Sequence, residues 1–165
     1  MSALRILIGV LAAATITQIA VVRANAQENI DAYACQYIGT STLEPLGDRE
    51  GHGLRVVNYT CLVTAGPLSG GVYTGESIWE TDKSGGTFLA GEGVIRKPGA
   101  TTVCQLTDGK LEVMMSDGKV VGVTSSGHGH YVMAVGSAAS LSGKTFTYAT
   151  KTTGPGQFSI EATRD

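Results

Sequence analysis

The sequence has no surplus of positive charge: twelve lysines and arginines stand against fourteen acids, for a formal net charge of -2. A chain of this balance has little with which to neutralise phosphates, which argues against a nucleic-acid partner. Charge of either sign is sparse, at 16% of residues against 42% hydrophobic, and that combination excludes a disordered chain. The familiar catalytic signatures are also missing. There is no G-x-S-x-G elbow, Walker loop, dinucleotide fingerprint on a βαβ unit, H-E-x-x-H or C-x-x-C. Serine hydrolases of the usual kind, nucleotide enzymes, zincins and thiol oxidoreductases therefore lose support. Gly91-x-Gly93 is a glycine pair within a strand pattern and makes no case for phosphate binding.

The first residues read as an address. Met1 to Arg5 carries one positive charge, Ile6 to Val22 is an apolar run, and Ala24-Asn25-Ala26 has the small-x-small pattern of a cleavage site. The segment 1–26 is expected to be a bacterial Sec-type signal peptide cut after Ala26, with an uncleaved anchor as the alternative. Cleavage would leave one domain, 27–165, with ten basic against fourteen acidic residues, in the periplasm or outside the cell and without a membrane attachment.

Three cysteines follow, Cys35, Cys61 and Cys104. An odd count in an oxidising compartment implies one disulfide and one thiol left over. Tyr33-Ala34-Cys35 and Tyr59-Thr60-Cys61 are neighbouring strand-like segments, so Cys35 with Cys61 is the expected pair. Cys104, between Val103 and Gln105 with no histidine or basic residue near in sequence, reads as buried filling rather than a nucleophile.

No stretch of 27–165 sustains a helical apolar period; alternation at period two recurs instead, cut by glycine-rich turns. Between Leu54 and Thr64, for example, Val57, Tyr59, Cys61 and Val63 share one face, and Val56, Asn58, Thr60 and Leu62 the other. Asp108-Gly109 and Asp117-Gly118 read as two-residue hairpin turns. Ser84-Gly85-Gly86, Lys97-Pro98-Gly99 and Thr153-Gly154-Pro155-Gly156 are further turn signals. The pattern predicts an all-β, antiparallel up-and-down meander of about eight to ten strands, which removes its edges by closing into a barrel. Glycines inside strands, such as Gly75, Gly91, Gly93 and Gly129, suit the sharp coiling of a small barrel or leave room for a ligand.

The stretch Gly127-His128-Gly129-His130-Tyr131, followed by Gly136, Leu141-Ser142-Gly143-Lys144 and a strand with Phe146 and Tyr148, resembles the calycin-type barrels of the allene oxide cyclase and dirigent-like families. The resemblance covers Thr87 to Ile160 and implies a barrel that takes an apolar or phenolic small molecule inside. It implies no catalytic residue, since none of the families' active-site positions has a match here, and Gly136-Ser137-Ala138-Ala139-Ser140 replaces their usual G-T-G turn. Tyr33-x-Cys35 and Ser69-Gly70-Gly71-Val72-Tyr73 also resemble, over a few residues, periplasmic C-type lysozyme inhibitors.

Three groups of residues could carry chemistry. His128 and His130, at i and i+2 on a strand, point to one face as a chelating pair must, although no glutamate follows at cupin spacing. Exposed histidines in a glycine-rich turn are the plainer reading, so no metal or other cofactor is expected. Glu76, Glu80, Glu92 and Glu112 sit in apolar strand patterns, and a carboxylate inside a barrel would suit acid or base work. Glu92, flanked by Gly91 and Gly93, is the catalytic candidate, with Tyr131 to supply a hydroxyl beside it. Trp79, Phe88, Phe146 and Tyr148 are candidates to line a ligand cavity. Three roles follow: a non-enzymatic barrel that binds a small apolar ligand or is structural, a cofactor-independent cyclase or isomerase, and a protein-binding module such as a periplasmic inhibitor.

Overall fold

The computed structural model describes residues 29–165; the signal peptide and cleavage site expected in 1–26 lie outside them. The strands are β1 (Ile30–Tyr37), β2 (Leu43–Pro45), β3 (Gly53–Ala65), β4 (Val72–Thr81), β5 (Gly85–Lys97), β6 (Ala100–Ser116), β7 (Lys119–Gly136), β8 (Thr145–Gly154) and β9 (Gln157–Arg164). A single 3₁₀ turn, Ala139–Leu141, joins β7 to β8. Each strand pairs antiparallel with its neighbour in sequence from β3 to β9, β9 pairs with β1, and β1 returns to β3. Eight strands thus close an up-and-down barrel, and β2 continues the line of β1 along the first residues of β3. Among the described residues no helix is long and apolar enough to cross a membrane.

Alternation sets inside and outside on every strand. On β1, Asp31, Tyr33 and Cys35 are buried, and on β3 so are Tyr59, Cys61 and Val63. Tyr73, Ser77, Trp79 and Thr81 on β4, and Phe146 and Tyr148 on β8, continue the inward set. Because the side-chain period is two, the phase that sends these rings inward sends every intervening residue out.

The two ends of the barrel differ. At one end Leu68, Ala138 and Leu141, from the β3–β4 and β7–β8 connections, are buried over the interior and close it. The opposite end is bounded by the β1–β3 connection and the β4–β5, β6–β7 and β8–β9 turns. Inward residues there, such as Val57, Leu106, Val123 and Ile160, are only half-buried.

Asp117-Gly118 is the turn that the sequence predicts: Asp117 has φ 51° and Gly118 φ 73°, the left-handed pair that a tight hairpin needs. Asp108-Gly109 is not a turn. β6 runs straight through it and β7 runs through the facing Gly127-His128. A bulge between Leu106 and Asp108 absorbs Thr107, and Gly109 pairs with Gly127. A β-carbon on Gly109 would come within 2.4 Å of the Tyr148 hydroxyl. This glycine therefore marks a close approach of a neighbouring ring, where sequence signals alone suggest a chain reversal. With no turn there, Ala100–Ser116 and Lys119–Gly136 form one long hairpin about Asp117-Gly118.

Cys35 and Cys61 are direct cross-strand partners in the β1–β3 pairing and form the disulfide expected of them; Cys104 is free and buried. The bond ties residues 26 apart in sequence across the ladder that closes the barrel. Restricting a loop of that length in the unfolded chain stabilises the fold by about 3 kcal/mol. The double variant Cys35→Ala, Cys61→Ala is expected to lose about that much in urea unfolding. A loss below about 1 kcal/mol would mean that the seam holds without its covalent tie.

Candidate functional site

The inward rings do not fill the barrel. They surround a cavity of about 90 Å³ lined by Tyr33, Tyr59, Tyr73, Trp79, Ile95, Cys104, Tyr131, Phe146, Tyr148 and Phe158, with Val57, Leu106, Leu111, Val123 and Ile160 toward the open end. The rings brace one another: Tyr59 meets Tyr73 and Phe158 edge-on at 5.6 Å each, Tyr131 lies 5.1 Å from Phe146, and Phe88 stands edge-on to Trp79 at 5.4 Å. Contacts of this kind fix ring orientations beyond what area burial alone would do. Inward glycines give the rings their places. A β-carbon at Gly93 would lie 2.3 Å from the Tyr73 ring, and one at Gly129 2.5 Å from Phe146. The strand glycines thus make room for rings of the chain itself.

The cavity wall carries polar atoms, but they are paired or neutral. Tyr59 and Tyr73 share a hydroxyl contact of 3.3 Å, and Trp79 donates from Nε1 to Ser77 Oγ at 2.9 Å. Burial pushes the Cys104 thiol up to about 12, so it stays protonated and is not a nucleophile. Burial likewise raises Tyr33, Tyr73 and Tyr131 far out of the range in which a phenol ionises.

The acid inside the barrel is Asp31, not Glu92. Glu76, Glu80, Glu92 and Glu112 fall on the outward phase of their strands, and Glu92 stands exposed opposite Glu76 on the outer face. The inward phase fixed by Tyr73, Ser77 and Trp79 leaves Glu92 no other side to take. Asp31 sits 1% exposed at the closed end, accepting a hydrogen bond from Tyr131 Oη at 2.8 Å, with Arg164 Nε 3.0 Å from its Oδ2. Desolvation raises its pKa, against the opposing pulls of Tyr131 and Arg164. Its other oxygen lies where a β-carbon of Gly66 would be, so Gly66, at φ 91°, is doubly required. Of the two catalytic candidates, then, Tyr131 lines the cavity and Glu92 does not.

Of the four expected lining residues, Trp79, Phe146 and Tyr148 face the cavity, and Phe88 stands behind Trp79. His128 and His130 both point outward from β7, as their spacing requires. His128 is occupied: its Nδ1–H donates to Asp108 Oδ1 at 2.9 Å. Among the described residues no group of three or more His, Cys, Asp or Glu side chains is arranged to hold a metal ion. Asp31, Tyr33 and Tyr59 also face inward, and no local motif singles them out as site residues. The one signal in the sequence is that Asp31 shares the phase of Tyr33 and Cys35, two and four residues on.

The third histidine, His52, immediately precedes β3 at the open end and is only 6% exposed. Its Nδ1 is bonded to Asp48 in the β2–β3 turn and its Nε2 donates to Glu80 Oε1 on β4 at 2.7 Å. Both ring nitrogens facing carboxylates require the imidazolium form. No family model, curated protein or solved structure matches the chain.

Bonding first to Asp48 and then to Glu80 raises the His52 pKa above its ordinary 6.5. A raised histidine favours the folded state fully below about pH 6.5, and the contribution disappears as pH climbs through the folded value. The urea midpoint of the protein is therefore expected to fall between pH 6 and pH 9. His52→Gln should flatten that step, and an unchanged step in the variant would assign the titration to another group.

Proposed function

We propose that the protein is a non-catalytic barrel of an oxidising compartment, periplasmic or secreted, which binds a small apolar molecule through its open end. The cavity carries this reading: about 90 Å³ inside a ring of aromatic side chains, closed below by Leu68 and Leu141. An engineered apolar cavity of about 150 Å³ takes up benzene. A smaller one that opens at one end suits a single ring or a short chain, with the remainder of the molecule lying toward the mouth. The disulfide is in keeping with a compartment outside the cytoplasm, as is the apolar run followed by Ala24-Asn25-Ala26. An apolar or phenolic guest is also what the resemblance to allene oxide cyclase and dirigent-like barrels implies. The wall favours binding over catalysis. Its hydroxyls and its thiol are held in their protonated forms, and the interior carboxylate lies under Tyr131 rather than in the open space.

Trp79 is the only tryptophan in the chain and lies on the cavity wall, so its emission reports occupancy directly. Titration with toluene or p-cresol is expected to change that emission saturably. A ligand at one hundred times its Kd stabilises the folded state by about 2.7 kcal/mol, which for a domain of this size raises Tm by several degrees. Ala162→Leu, which extends a side chain into the cavity, should abolish both effects while the far-ultraviolet circular dichroism is kept. Absence of any emission or Tm change across single-ring ligands would refute the binding function, and conversion of a bound ligand on incubation would replace it with an enzymatic one.

A further inference from the structure

The wall of the open end carries one formal charge that the apolar cavity does not call for. Arg55 lies on β3 in phase with Val57 and Tyr59, opposite Trp79 on β4, and is half-buried. Its neighbours at inward positions of this end are apolar or hydroxyl-bearing, among them Val123, Ser125 and Thr150. Two other cations near this end are matched, Arg49 with Asp48 and Asp82, and Lys83 with Glu50. Among the described residues no carboxylate comes within ion-pair distance of Arg55, whose guanidinium donates to the neutral Ser41 Oγ at 3.1 Å. Burial raises the pKa of the Tyr37 phenol, which lines the cavity, and the charge of Arg55 opposes that shift.

We infer that the ligand is an amphipathic carboxylate, with its ring or short alkyl end in the cavity and its anionic head on Arg55 at the mouth. This rests on the reading of the cavity as a binding site and adds the class of molecule. A cavity of about 90 Å³ cannot enclose a whole molecule of ordinary metabolite size, so part of any guest remains at the rim. A carboxylate placed there meets a planar, permanently charged donor that matches its two oxygens. The apolar wall then sets depth, and the guanidinium sets direction.

Matched titrations of 3-phenylpropionate and 3-phenylpropionamide, followed by Trp79 emission and calorimetry on the full barrel, test the assignment. The acid is expected to bind about fivefold more tightly than the amide, the upper range for a half-exposed ion pair, with the preference shrinking as salt is raised. In Arg55→Gln the two ligands should bind alike, at the affinity of the amide, and Arg55→Lys should restore part of the preference. Equal affinities in the unaltered protein, or a preference that persists in Arg55→Gln, would overturn the carboxylate assignment while binding of the amide upheld the cavity. Failure of both ligands to bind would instead overturn the cavity reading and this assignment with it. Should Arg55→Gln fail to fold, the salt dependence of the acid against the amide in the unaltered protein decides the matter: a preference insensitive to salt rejects the ion pair.

Discussion

Everything inside this molecule depends on the pairing of β1 with β3. From β3 to β9 each strand joins its sequence neighbour through a short connection and β9 pairs back onto β1, whereas the β1–β3 ladder joins residues that enclose the β2 excursion and converts the open sheet into a barrel. Without it, two strand edges would present unpaired backbone groups and the row of inward rings would have no opposite wall. The disulfide lies within this ladder, between directly facing residues, where a covalent tie limits the ways in which the sheet can come apart. The fold thus places its single cross-link at the contact that closes the barrel.

Closure then leaves a shortage of volume. An eight-stranded barrel has an interior that side chains can just fill or that holds one small ligand. Ten aromatic residues are few for the task, and nearly all of them are directed inward. Rings rest over inward glycines on adjacent strands, at Gly93 beneath Tyr73 and Gly129 beneath Phe146, which brings each ring against the backbone. Flattening large side chains against the wall in this way leaves space along the axis. The cavity follows from pairing large residues with the smallest one, an arrangement that differs from a core of interlocked aliphatic side chains.

Much of this was legible in the sequence because it depends on local period and phase. Alternation in Leu54–Thr64 places Val57, Tyr59, Cys61 and Val63 together, and the antiparallel neighbour of that segment places Cys35 against Cys61. Trp79, Phe146 and Tyr148 reach the cavity for the same reason. What failed was whatever required knowing the phase of one strand relative to the next. Glu92 has apolar neighbours on either side, but those neighbours bracket it on a strand whose inward phase belongs to Gly91, Gly93 and Ile95. Asp108-Gly109 has the composition of a turn, and only the approach of Tyr148 from β8 explains a glycine in mid-strand there. Asp31 is isolated in sequence from Tyr131 and Arg164, its partners 100 and 133 positions away, and no local pattern brings the three together.

The polar groups are distributed along the barrel axis in a way that gives the interior a direction. At the closed end, Asp31 is neutralised by its surroundings: burial raises its pKa, Tyr131 donates to it, and Arg164 stands beside it. This group is directed against Gly66 and the end of the barrel, so the floor of the cavity presents the ring of Tyr131 and little field. At the open end the segment that follows β2 is fastened by His52 between Asp48 and Glu80, a contact on the outer side of the wall that satisfies its own charges. Arg55, two residues beyond Gly53 on the inward phase, is held beside the mouth by a hydroxyl alone. The interior therefore runs from a charge-compensated floor, through an apolar middle, to a rim where Arg55 stands on the inward phase. On the proposed reading a guest would enter apolar end first, because Arg55 at the rim offers compensation to an anion and only the interior rewards the loss of water from a ring.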